Sequence, residues 1–80
     1  MRVRAEFTTE PFRGESEPPA HASRTFEVVR AAGLTADFGP LGTSVTGEAE
    51  DVVVALGDVV RAALAHGATR VTLLVEPERG

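Results

Sequence analysis

Cysteine is absent from the 80 residues, and so are lysine, asparagine, glutamine, tyrosine and tryptophan. Each absence closes a route. Without cysteine there is no disulfide and no thiolate metal site. Without lysine no Schiff base can form, and without tyrosine no phenol can act as an acid. No side-chain amide is present to donate into an oxyanion hole. The two histidines, His21 and His66, lack a partner histidine at metal-ligand spacing, so no structural zinc site is expected. No apolar run approaches the roughly 20 residues that span a bilayer. The segment Met1 to Glu6 has no apolar signal core, and a cytoplasmic address is the expectation.

What is present is acidic. Twelve carboxylates face eight arginines, for a formal net charge of −4. The arginines are scattered along the chain rather than clustered. Phosphate neutralisation supplies most nucleic-acid affinity, so this pattern argues against such a partner. The length predicts a single domain over residues 1–80. A chain this short buries only about 60% of its unfolded surface, so self-association is an expected source of added stability.

Arg2 to Thr8 alternates, with Val3, Ala5 and Phe7 on one side and Arg2, Arg4, Glu6 and Thr8 on the other. Period 2 predicts a strand with one buried face. Thr9 to Pro19 is rich in proline, glycine and acids and reads as a loop. Pro18 and Pro19 suit the opening of a helix, predicted over Ala20–Ala32, with Ala22, Phe26 and Val29 as its buried stripe. Gly33 ends it. Leu34–Phe38 reads as a second strand, Gly39-Pro40-Leu41-Gly42 as a turn and Thr43–Thr46 as a third strand. Acids at Glu48, Glu50 and Asp51 favour the positive end of a second helix, whose predicted buried stripe is Val53, Leu56, Val60 and Leu64. After Gly67, Arg70–Glu76 reads as a last strand with Val71, Leu73 and Val75 inward. His21 and His66 read as surface residues near helix ends.

The order β-α-β-β-α-β predicts an α+β, ferredoxin-like sandwich: a four-stranded antiparallel sheet in the order 4-1-3-2, with both helices on one face. The other face and two edges stay open, and both are candidates for subunit contact.

The segment Gly39-Pro40-Leu41-Gly42-Thr43-Ser44-Val45-Thr46-Gly47-Glu48 resembles a signature that reads roughly G/T-P-x-G-T-x-x-E-G-E. Ala5-Glu6-Phe7-Thr8 with Pro11, Ala32-Gly33-Leu34, and His66 to Val71 match the surrounding pattern in order. The chain thus resembles the thiamine-binding protein family, also called YkoF-like, over nearly its whole length. It departs from the pattern at Thr46, where members usually carry glutamate. The resemblance implies a ferredoxin-like fold, assembly into dimers and tetramers, and binding of thiamine or its hydroxymethylpyrimidine part.

A cationic thiazolium and an aminopyrimidine call for a carboxylate, hydrogen-bond acceptors and an apolar wall. Glu6, Thr8, Ser44 and Thr46 offer such groups on adjacent strands, and Thr43 lies at the turn, able to point inward. These five are the candidate ligand-binding residues. Each also has a plain structural reading: Glu6 as a solvated or subunit-contact residue, the threonines as ordinary strand residues, Glu48 as a helix-dipole residue and Phe38 as core. Catalysis is not expected. Ser16, Ser23 and Ser44 have no identifiable His–Asp constellation, and the acyl-phosphate hydrolysis hosted by this fold needs an asparagine. No cofactor or metal is implied; thiamine or hydroxymethylpyrimidine would be the ligand itself. The expected self-partner is a homotetramer, a dimer of dimers packed sheet to sheet, with a dimer as the fallback. The competing reading is a structural or regulatory module whose open sheet face binds another protein.

Overall fold

The computed structural model describes residues 1–11, 19–39 and 42–78. Six elements follow in order: β1 (Arg2–Glu10), α1 (Ala20–Ala31), β2 (Thr35–Gly39), β3 (Gly42–Glu48), α2 (Ala49–Ala65) and β4 (Arg70–Pro77). The sheet order is β2-β3-β1-β4, the expected 4-1-3-2 read from its other edge, and every neighbouring pair is antiparallel. The fold is therefore the ferredoxin-like α+β sandwich. No described helix is long and apolar enough to cross a membrane.

The alternation of β1 builds the core floor. Val3, Ala5 and Phe7 are buried with Val45 of β3, Val29 of α1, and Val52, Ala55, Leu56 and Val59 of α2. Because both helices meet the same strand rows, they share one face of the sheet. Fully burying a valine or leucine is worth about 1.5–3 kcal/mol, so this cluster supplies the main driving force.

Both helices stop where glycine permits a left-handed backbone: Gly33 has φ +78° and Gly67 φ +97°. Pro19 caps α1 without a side-chain bond, and its carbonyl accepts from the amides of Ala22 and Ser23 at 3.0 and 3.2 Å. Pro18 and most of the predicted loop, like Pro40 and Leu41 of the predicted turn, lie outside the described residues.

Four expectations need correction. First, β1 runs on to Glu10, so Thr9 is a strand residue on the buried side, 7% exposed, rather than the start of a loop. Second, α2 is rotated from its predicted phase. Val52, Ala55, Leu56, Val59 and Ala63 are buried, while Val53 and Leu64 are 61% and 58% exposed. The valine run at 52–54 fits two phases, and small alanines take positions against the sheet and α1 where close approach matters. Third, His21 is buried, not on the surface. Fourth, Val71, Leu73 and Val75 share the core face, opposite Thr9, Phe7 and Ala5, yet Leu73 and Val75 remain 40% and 46% exposed. α2 lies over β3 and β1 and only brushes β4.

Candidate ligand-binding site

The ends of β1, β2 and β3 meet the first turns of α1. A cavity of about 290 Å³ opens there, lined by Phe7, Thr8, Thr9 and Glu10 of β1, Ala22 and Thr25 of α1, and Phe38, Gly39, Gly42 and Thr43 around the β2–β3 hairpin. A second cavity of about 250 Å³ shares the Phe7–Thr8 and Gly39, Gly42, Thr43 rim and adds Glu6 and Ser44.

Gly42 keeps this rim thin. A Cβ on Gly42 would sit 2.7 Å from Thr8 Cγ2 and 2.8 Å from the Phe7 carbonyl oxygen, so β3 passes β1 here at a distance only glycine tolerates. On the other wall, Phe38 meets Phe26 edge to face at 5.2 Å between centroids. The Phe38 ring is half-exposed and faces the opening rather than filling the core.

The floor is a buried polar network. His21 Nε2 lies 3.0 Å from the Pro11 carbonyl, which can only accept, so Nε2 carries a proton. In the singly protonated imidazole Nδ1 is an acceptor, and the Thr9 hydroxyl, 2.6 Å away, donates to it. Thr25 Oγ1 likewise donates backwards, to the carbonyls of His21 and Ala22 at 3.0 and 2.9 Å. Both hydroxyl protons are committed away from the cavity, and what Thr9 and Thr25 can offer to it is lone pairs. The floor therefore accepts hydrogen bonds more readily than it donates them.

Of the five residues singled out in the sequence, Glu6, Thr8, Thr43 and Ser44 line the second cavity together. Glu6 stands opposite Ser44, and Thr43 opposite both Phe7 and Phe38. Thr43 is buried on the helix side; Glu6, Thr8 and Ser44 are half-buried on the outer side. Thr46 is apart from both cavities, paired across strands with Arg4 and Thr35. Arg4 makes ion pairs with Glu6 and, at 3.3 Å, with Glu76. Sequence reasoning missed Thr9, Glu10 and Thr25. One signal was available: Thr9 continues the row Val3, Ala5, Phe7, and a polar residue in a core row asks for a partner.

A family model for thiamine-binding proteins matches residues 5–77. The chain belongs to the thiamine-binding protein family. No curated protein sequence matches it. Solved structures do: a domain of unknown function from Bacillus cereus (20% identity, 94% of this chain and 72% of that one, TM-score 0.70). A hypothetical protein from Methanocaldococcus jannascii is similar at 20% identity, over 99% of this chain and 81% of that one, with TM-score 0.73. A candidate thiamine biosynthesis/salvage protein from Thermotoga maritima matches at 21% identity, over 95% of this chain and 81% of that one, with TM-score 0.70. At these identities the structural matches speak for the shared fold alone.

Proposed function

We propose that this family member binds thiamine or its hydroxymethylpyrimidine moiety at the end of the sheet and catalyses no reaction on it. The observation that carries this reading is the acceptor-rich cavity. Thr9 and Thr25 present oxygen lone pairs, Glu6 presents a carboxylate on the outer side, and Phe38 supplies an aromatic wall. An aminopyrimidine brings an N–H donor pair to such a floor and a flat ring to the phenylalanine. A thiazolium brings a positive charge to the Glu6 carboxylate, where charge-assisted contacts are the strong ones. The cavity is close to the lower limit of small-ligand sites, which suits a single heteroaromatic ring held firmly with its remainder at the mouth. Glu6, Thr8, Thr43 and Ser44 belong to the outer part of this site.

Isothermal calorimetry with thiamine, hydroxymethylpyrimidine and a pyrimidine lacking the amino group tests the reading. Binding of the first two, and at least about tenfold weaker binding of the third, is expected. Removing the amine leaves the committed acceptors unpaired. Equal affinity for all three would overturn the acceptor argument, and no heat with any of them would overturn the proposal.

A further inference from the structure

His21 is the one ionisable side chain buried among the described residues, and it stands directly behind the cavity wall. Thr9, which lines the cavity, is its link to that space. Both ring nitrogens end on neutral oxygens, Nε2 on the Pro11 carbonyl and Nδ1 on the Thr9 hydroxyl. The described charged groups of the surrounding elements are turned elsewhere. Glu10, next to Thr9 on β1, falls on the outer face by strand alternation, opposite Arg70. On α1, Arg24 and Glu27 pair with each other at 3.6 Å in solvent. On α2, Asp58 and Arg61 do the same. The neighbour that can answer a change of charge on the ring is therefore the Thr9 hydroxyl. A hydroxyl has one proton and two lone pairs, and its proton rotates to suit. Beside a singly protonated ring that proton goes to Nδ1, and lone pairs face the cavity. A second proton on the ring reverses the bond: Nδ1–H donates, Thr9 Oγ1 accepts, and the hydroxyl proton turns to the open side, which is the cavity. No heavy atom has to move.

We propose that His21 is the positioning residue that sets the polarity of the ligand site: through Thr9, the neutral imidazole makes the floor an acceptor and the imidazolium makes it a donor. The inference rests on the cavity being the pyrimidine site, and it adds a ligand class for each protonation state. Neutral His21 selects a ring edge that carries an amine. Charged His21 selects an edge that only accepts, such as an ether oxygen. Thr25 takes no part, because its hydroxyl is held by the His21 and Ala22 carbonyls, whose bonds do not involve the ring. Coupling between two binding events is reciprocal. An amine-bearing ligand must therefore hold the ring neutral, and an acceptor-only ligand must favour its charge. The sign of the effect is set by the ligand, which a simple influence of pH on folding or on surface charge would not reproduce.

NMR of the imidazole carbons and nitrogens reads His21 directly, with the exposed His66 as the reference ring. In the free protein, the neutral ring is expected as the Nε2–H tautomer. Over a titration between about pH 5 and 8, two shifts of opposite sign are expected. Saturating hydroxymethylpyrimidine should move the His21 transition to lower pH. Its analogue with a methoxy group in place of the amine should move the transition to higher pH. The ratio of the two affinities should change about tenfold or more across the transition, favouring the amine at high pH. Thr9→Val should abolish both movements and Thr9→Ser should restore them, whereas a through-space effect of the ligand on the ring would persist in Thr9→Val. Movement in the same direction with both ligands overturns the proposal. So does an Nδ1–H tautomer, a ring that never charges in the folded protein, or a folded Thr9→Val that behaves like the unaltered chain. Bound ligand with an unmoved His21 overturns this inference and leaves the ligand site standing; binding of neither pyrimidine overturns both.

Discussion

The Thr9 hydroxyl does two jobs at once: it satisfies His21 and fixes which side of itself the cavity sees. Thr9→Val keeps the shape but leaves Nδ1 of a buried imidazole without a donor. The expected cost is about 1–3 kcal/mol of folding stability, read from urea denaturation. Gly42 carries a different constraint, a backbone approach rather than a bond. Gly42→Ala drives a methyl group into the Phe7 carbonyl and Thr8. Overpacking of this kind costs about 1–3 kcal/mol, and the same denaturation experiment reads it. Because the rim moves, ligand affinity should fall with it, whereas Gly57→Ala, inside α2 and meeting open space, should raise stability by about 0.5–1 kcal/mol and leave affinity unchanged. Neither effect can be read along the chain. His21 looks like a helix-end residue until Thr9 and the Pro11 carbonyl, distant on the strand side, close on its two nitrogens.

α2 shows the same limit one level up. Its existence follows from composition and its end from Gly67, yet its rotation is decided by what it touches. The run Val52-Val53-Val54 and the pair Val59-Val60 supply apolar residues to two adjacent stripes, so periodicity alone admits either. Packing chooses the stripe with Ala55 and Ala63 in it. Val59→Ala removes two methyl groups from a fully buried site and should cost about 2 kcal/mol, transfer plus cavity. Val54→Ala, at 67% exposure and pointing away from the sheet, should stay within about 0.5 kcal/mol. Equal costs would mean that the helix sits in the other phase. β1, by contrast, was legible almost to its end, since strict alternation with one buried face leaves a single register. The open half of the candidate site, Glu6, Thr8 and Ser44, followed from that alternation. Its closed half, Thr9, Thr25 and Phe38, is assembled from three elements and has no sequence period.

For a domain of this length, total stability is only about 4–12 kcal/mol, so anything that binds the native state moves its unfolding visibly. Ligand binding is such an effect. A ligand at about 100 times its dissociation constant adds about 2.7 kcal/mol. In a domain of this size that raises Tm by roughly 10–20 °C. Scanning calorimetry with and without hydroxymethylpyrimidine reads the shift. It should survive in Val54→Ala, which is remote from the cavity, and shrink in Gly42→Ala, whose rim is displaced. An undiminished shift in Gly42→Ala would place the ligand elsewhere than at the β1–β3 end of the sheet.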